Sequence, residues 1–155
     1  MPTEPDHYLL IAASVEWEPF TSARDIVRAL AERNLWLASR FTPFRRAYKA
    51  GDRVLLYASG VGHRCIMADG TIAGPVAEAT AEDKRVAEEL GLEGFAERIP
   101  LREVRLWNDP LPMKPLVDEL RFVKDKKNWG LGLRQAAVRL PIEDFDVLMK
   151  SAGLC

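Results

Sequence analysis

Four apolar runs of this chain, residues 8–13, 35–38, 54–58 and 65–68, are four to six residues long, and polar, Gly or Pro residues punctuate the chain between them. That pattern predicts strands rather than long helices. Residues 7–13, which take in the first such run, are bounded by polar neighbours and read as a buried strand. Ser22 with Asp25 three residues on reads as a capping box. Ile26, Val27 and Leu30 then recur at helical spacing, so a helix is expected over residues 23–34. Residues 35–44 have no clean period, because Trp36, Phe41 and Phe44 are interleaved with Arg40. Lys49-Ala-Gly-Asp52 reads as a turn in which Asp52 caps nothing evident, and residues 53–57 read as a strand.

Two further strands are expected over residues 64–68 and 71–79, joined by a hairpin at Asp69-Gly70, since Asp-Gly between apolar runs is a strong turn signal. Pro75 confines the second of them to an edge or a bulge. Residues 81–90 are helical by propensity, with Thr80 as N-cap and Gly91 as the stop. Residues 97–107 read as a strand whose alternation slips between Leu101 and Val104, the mark of a bulge. Pro110, Pro112 and Pro115 predict a turn before a short helix near residues 116–120. A strand over residues 131–140 ends at Pro141, and residues 142–152 form a helix with Phe145, Leu148 and Met149 on its core face. Five to seven short strands with about four helices, not in regular alternation, predict an α+β fold built on a small curved mixed sheet or barrel with flanking helices.

The chain has 155 residues and 48% hydrophobic composition. This predicts one domain spanning residues 1–155, with its core over about 7–150. The net charge of −1, from 22 basic and 23 acidic residues, does not predict strong non-specific duplex binding and argues against a long phosphate-gripping surface. A local patch beside a pocket remains open. Cys65 and Cys155 do not make a disulfide framework. His7, His63 and Cys65 do not complete a tetrahedral metal site. No apolar run reaches the length of a membrane span. A cytoplasmic monomer without cofactor or metal is therefore expected, and no nucleophile elbow or phosphate loop marks it as an enzyme.

Several segments in order carry a family resemblance. They are the opening strand with Tyr8, Arg33-Asn34, Gly51-Asp52 leading into a strand that ends Tyr57-Ala58-Ser59, and Pro100-Leu101. The basic stretch Phe122-Val-Lys-Asp-Lys-Lys-Asn-Trp-Gly130 and the closing pair Asp144-Phe145 complete the set. Over about residues 7–150 the chain resembles an EVE domain, a member of the PUA-like group that includes readers of modified bases. The resemblance implies a PUA-like barrel, DNA or RNA as partner, and a base-sized aromatic pocket between the barrel and its loops.

Each candidate site residue has two readings. Trp17, Trp36 and Trp129 can stack on a flipped base or close the core. Ser14 and Ser59 end apolar strands, where a hydroxyl can bond a base edge or cap a turn. Tyr57 is a rim or core tyrosine. Arg134 and Gln135 can meet a base edge, Gln in bidentate fashion. Arg40, Arg45 and Arg46, with Lys124, Lys126 and Lys127, suit phosphate contact or a solvated face. Trp107 reads as structural. The alternatives to a base reader are a PUA-like hydrolase of a nucleoside-like substrate, with Glu16 or Glu18 acting beside Lys49, and a protein-interaction domain whose pocket is vestigial.

Overall fold

The structure is a computed structural model that describes residues 4–16, 20–60, 62–133 and 135–153. Seven strands form one mixed sheet: β1 (His7–Ala12), β2 (Leu35–Ala38), β3 (Arg53–Ala58), β4 (Cys65–Ile72), β5 (Ala77–Glu78), β6 (Glu97–Pro112) and β7 (Ala137–Arg139). Three helices flank it: α1 (Ala23–Glu32), α2 (Ala81–Glu89) and α3 (Ile142–Ser151). Two 3₁₀ turns, Lys114–Glu119 and Trp129–Leu133, complete the described elements.

The sheet order is β2-β6-β4-β3-β1-β7, with β5 also on β6. β1 and β3 pair in parallel from His7↔Arg53 to Ala12↔Ala58, while every other pairing is antiparallel. Parallel neighbours need a crossover connection, and α1 with β2 lies in it. Alternation along the two strands divides the core. Tyr8, Leu10, Val54 and Leu56 pack on the α1 side, and Leu9, Ile11, Leu55 and Tyr57 pack on the α3 side. α1 starts at Ser22, whose hydroxyl accepts from the Asp25 amide at 3.1 Å. It ends at Asn34, which takes a left-handed φ of 50° and accepts the Val104 amide on its side chain at 3.1 Å. The segment after it, which has no clean period, holds strand β2 against Leu35↔Pro100 to Ala38↔Glu97 of β6.

The Asp69-Gly70 pair does not turn the chain. It lies inside β4, one continuous strand. Asp69 is buried and its carboxylate accepts from Arg53 at 3.0 Å, Arg105 at 3.1 Å and the Trp107 indole at 2.8 Å. A buried carboxylate needs such partners, and a hairpin tip would have taken it away from all three. Gly70 is required by close approach. A Cβ there would meet Val104 Cγ2 at 2.9 Å, where β6 crosses β4. β6 also outruns its predicted end, passing through Pro110 to Pro112. The expected bulge is present: Glu103 has φ 54°, and the β4–β6 register shifts between Asp69 and Thr71. Residues 131–140 are not one strand either, since a 3₁₀ turn precedes the short β7. Asp52 turns out to have a clear role. Fully buried, it accepts from the Asp6 amide at 3.0 Å and from the Lys49 amide and ammonium at 3.1 and 2.8 Å, tying the starts of β1 and β3 together.

Phe145, Leu148 and Met149 are buried together beneath the sheet. The Phe145 ring lies 4.6 Å from His7 and 5.5 Å from the Arg53 guanidinium. Truncating Phe145 to Ala is expected to cost about 3–5 kcal/mol in chemical denaturation, and a loss below about 1 kcal/mol would refute the placement. His7 is buried, and that burial, ahead of its charged neighbours, holds its pKa below the ordinary value. The unfolded chain then takes up a proton near pH 6.5 before the folded one does. The His7 contribution is therefore complete above about pH 6.5 and is lost as pH falls through the lower, folded pKa. Urea midpoints between pH 7 and 5 should fall with acidification, and His7→Gln should flatten that slope.

Candidate nucleic-acid interface

A cavity of about 1070 Å³ opens at the carboxyl ends of β1 and β3. Its existence follows from the parallel pair: both strands finish at the same end, and the chain leaves them in different directions. Ile11 to Val15 line it from the end of β1 and the segment after it, and Tyr57, Ser59 and Gly60 from the end of β3 and just beyond. Ile26 and Leu30 of α1 and Trp36 and Leu37 of β2 supply apolar wall. The loop after α2 adds Leu92, Glu93 and Phe95. The segment around the second 3₁₀ turn brings Lys127, Asn128, Trp129, Leu133 and Gln135.

The two serines are anchored in opposite senses. Ser14 Oγ accepts from the Ala23 amide at 2.9 Å, at the start of α1, which leaves its own proton available to donate. Ser59 donates its hydroxyl to the Ala12 carbonyl at 3.0 Å, and its amide donates to the same oxygen at 2.9 Å, so its Oγ lone pairs remain available to accept. Tyr57 is 1% exposed, and its hydroxyl makes no hydrogen bond to any described residue. Burial pushes that hydroxyl well above its ordinary pKa, against a smaller opposing effect of Arg64, so it keeps its proton. A donor, an acceptor and a neutral hydroxyl thus join apolar wall in a lining that also carries Arg64, Glu93, Lys127, Asn128 and Gln135.

Trp36 also lines the cavity but is 4% exposed and paired opposite Ile99, so its ring is part of the core as well as of the wall. Trp129 is half-buried, with the Arg64 guanidinium carbon 5.3 Å from its ring centroid. Trp17 and Arg134 lie outside the described residues. Trp107 serves the Asp69 network, in keeping with its structural reading.

The six basic residues separate by environment. The Arg45 guanidinium is paired with Glu97. The Lys126 ammonium donates to the Val117 carbonyl at 2.9 Å and to the Leu120 carbonyl, binding its loop to the end of the first 3₁₀ turn. Lys127 alone of the six lines the cavity. Arg40, Arg46 and Lys124 are exposed away from that lining, Arg40 lying over the Phe41 ring at 4.8 Å. Sequence reasoning overlooks Arg64, Glu93 and Phe95. The one available signal is the glycines on either side of them, Gly60 and Gly62 before Arg64, and Gly91 and Gly94 around Glu93.

Lys49 does not assemble with Glu16. It pairs with Asp6 at 2.9 Å and Asp52 at 2.8 Å, at the amino ends of β1 and β3, a strand length from the cavity. Glu18 lies outside the described residues. Among the described residues, no three His, Cys, Asp or Glu side chains gather as a metal-binding group, and no helix is long and apolar enough to cross a membrane.

The EVE domain family model matches residues 16–151. The chain belongs to the EVE domain family. A UPF0310 protein of Pyrococcus abyssi is 24% identical over 131 residues, covering 81% of this EVE domain and 91% of the relative. Human THYN1, in a crystal structure with DNA containing 5-methylcytosine, superposes with a TM-score of 0.63 at 19% identity, covering 95% of this chain and 97% of that one. An ASCH protein from Zymomonas mobilis superposes with a TM-score of 0.57 at 12% identity, covering 93% and 94%. The curled mixed sheet with flanking helices is thus the PUA-like fold of these neighbours.

The burial difference between the two described cavity tryptophans has a measurable consequence. Trp36→Ala should cost about 3–5 kcal/mol, as for a buried aromatic, while Trp129→Ala should cost clearly less. Paired denaturation curves check this, and equal losses would contradict the assignment of Trp36 to the core.

Proposed function

We propose that this EVE domain is a non-catalytic nucleic-acid-binding module that takes one modified base into the cavity at the carboxyl ends of β1 and β3. The carrying observation is the lining itself: a half-buried Trp129 beside apolar wall, with Ser14, Ser59 and Tyr57 offering unlike polar groups. A base presents two π-faces and an edge of donors and acceptors, and this lining meets both needs. The human THYN1 complex supports DNA as the partner and methylation as the kind of mark. The remote position of Lys49 favours binding over the hydrolase reading. Arg40, Arg46, Lys124 and Lys127 are positioning cations that hold the backbone without selecting sequence. Arg45 and Lys126 act by holding the structure around them.

A panel of modified and unmodified DNA and RNA oligonucleotides at fixed salt tests the reading. At least one modified DNA should bind more tightly than its unmodified counterpart. Trp129→Ala should weaken it by about 1–3 kcal/mol, the worth of one stacked base, or roughly 5–150-fold. Equal affinity across the panel, or an unchanged Trp129→Ala variant, would reject the proposal.

A further inference from the structure

We infer that Arg64 and Lys127 form a seat for the phosphate that directly flanks the inserted nucleotide. The inference rests on the base-reading proposal above and adds to it a specific anionic contact at the cavity. Arg64 and Lys127 both line the cavity, in company with Trp129. The Arg64 guanidinium carbon lies over the Trp129 ring, 5.3 Å from its centroid. A guanidinium over an indole face keeps its charge, and its N–H groups, with no carboxylate partner among the described residues, can grip an oxyanion.

Neither cation has a carboxylate partner among the described residues. Elsewhere in the chain such partners are common: Arg45 has Glu97, Arg53 and Arg105 share Asp69, Arg98 has Asp83, and Arg139 has Asp6. Glu93 is the remaining charged group of the described lining. It comes from the loop after α2 and pairs with neither cation.

The backbone that carries each cation is also held in place. Arg64 has φ 52°, a conformation that non-glycine residues adopt rarely, and its carbonyl accepts the Met113 amide at 3.1 Å. The Lys127 loop is closed by Asp125, whose carboxylate accepts from the Lys127 and Asn128 amides at 3.1 and 3.0 Å. These bonds hold the Asp125 carboxyl below its ordinary pKa, those from Asn128 chief among them. Lys126 fastens the same loop to the carbonyls of Val117 and Leu120. Two cations on anchored backbone, without a carboxylate partner among the described residues and beside an indole, match a nucleotide whose base is inside and whose phosphate is at the mouth. They do not match a neutral ligand.

The test takes the oligonucleotide bound most tightly in the panel. The phosphodiester on the 5′ side of the modified base is replaced by a neutral methylphosphonate, and separately the one on the 3′ side. One of the two replacements should lower wild-type affinity about tenfold, the scale of a charge-assisted hydrogen bond. The same replacement should change the affinity of the Arg64→Gln/Lys127→Gln double variant by less than about twofold, because the partner of that phosphate is gone. That variant should keep its melting temperature, since both cations are exposed. If neither neutral linkage weakens the wild type, or if the double variant is equally sensitive, the seat is wrong and the base reader stands. If the wild type prefers no modified oligonucleotide at all, the base-reading proposal itself fails, and the seat with it.

Discussion

The parallel register of β1 on β3 is the constraint from which the rest of the molecule follows. Six residues of each strand run side by side, from His7↔Arg53 to Ala12↔Ala58, in a sheet that is otherwise antiparallel. Because both strands point the same way, the chain between them must travel back, and α1 and β2 occupy that path. Their amino ends are drawn together by Asp52, which bonds Asp6 and Lys49. Their carboxyl ends are linked by Ser59, which donates twice to the Ala12 carbonyl. Beyond that last link the strands have no further partner in each other, and the cavity begins. A ligand site outside the carboxyl ends of parallel strands has the same geometric cause as in open α/β sheets, although only one pair of strands produces it here.

The long strand β6 supplies the second half of the architecture. Its first residues pair with β2 and β5 and its later ones with β4, so one bent strand joins both parts of the sheet. The bend depends on Gly70, which lets Val104 approach, and on Asn34, which holds the Val104 amide from the end of α1. Here local sequence signals and tertiary demand diverge. Asp69-Gly70 has the composition of a hairpin turn, yet each residue is present for a contact made by a distant strand. Arg53, Arg105 and Trp107 converge on Asp69 from β3 and β6. No window of neighbouring residues contains that information, whereas the bulge between Leu101 and Val104 was legible because it interrupts a local alternation.

The same distinction governs the candidate site. Ser14, Tyr57 and Ser59, which line the cavity, were legible as candidates because each ends or nearly ends an apolar run, and strand ends are where a sheet opens to solvent. Trp129 and Lys127 were legible from an unusual basic stretch that finishes in an aromatic. Which lysine faces the cavity was not legible. Lys126 and Lys127 are adjacent and chemically alike, and only the positions of the Val117 and Leu120 carbonyls decide that one fastens the loop while the other lines the cavity. Arg45 was likewise indistinguishable from Arg46 until β6 placed Glu97 beside it. Glu93 and Phe95 enter through a loop distant in sequence from β1 and β3, so their proximity is a product of topology alone.

The size of the cavity separates affinity from selectivity. At about 1070 Å³ it slightly exceeds the usual range of small-molecule sites, which is roughly 300–1,000 Å³. One flat base leaves part of that space unfilled, so shape alone discriminates weakly. An added methyl that is fully enclosed is worth about 0.8 kcal/mol, a factor of about four, and in a roomy cavity it is worth less. Polar groups discriminate more strongly, because a wrong edge leaves a desolvated donor or acceptor without a partner, at about 1–3 kcal/mol each. Ser59 presents an acceptor whose sense is set by its bond to the Ala12 carbonyl, while Ser14, accepting from the Ala23 amide, keeps its proton and one lone pair, so only Ser59 must break a backbone contact to reverse its role. Under the proposed reading, Trp129 supplies affinity for any base, and the serine pair with Tyr57 chooses among edges. The EVE domain then owes its selectivity to the hydrogen bonds that hold the carboxyl ends of β1 and β3 in place, the same bonds that define where the cavity begins.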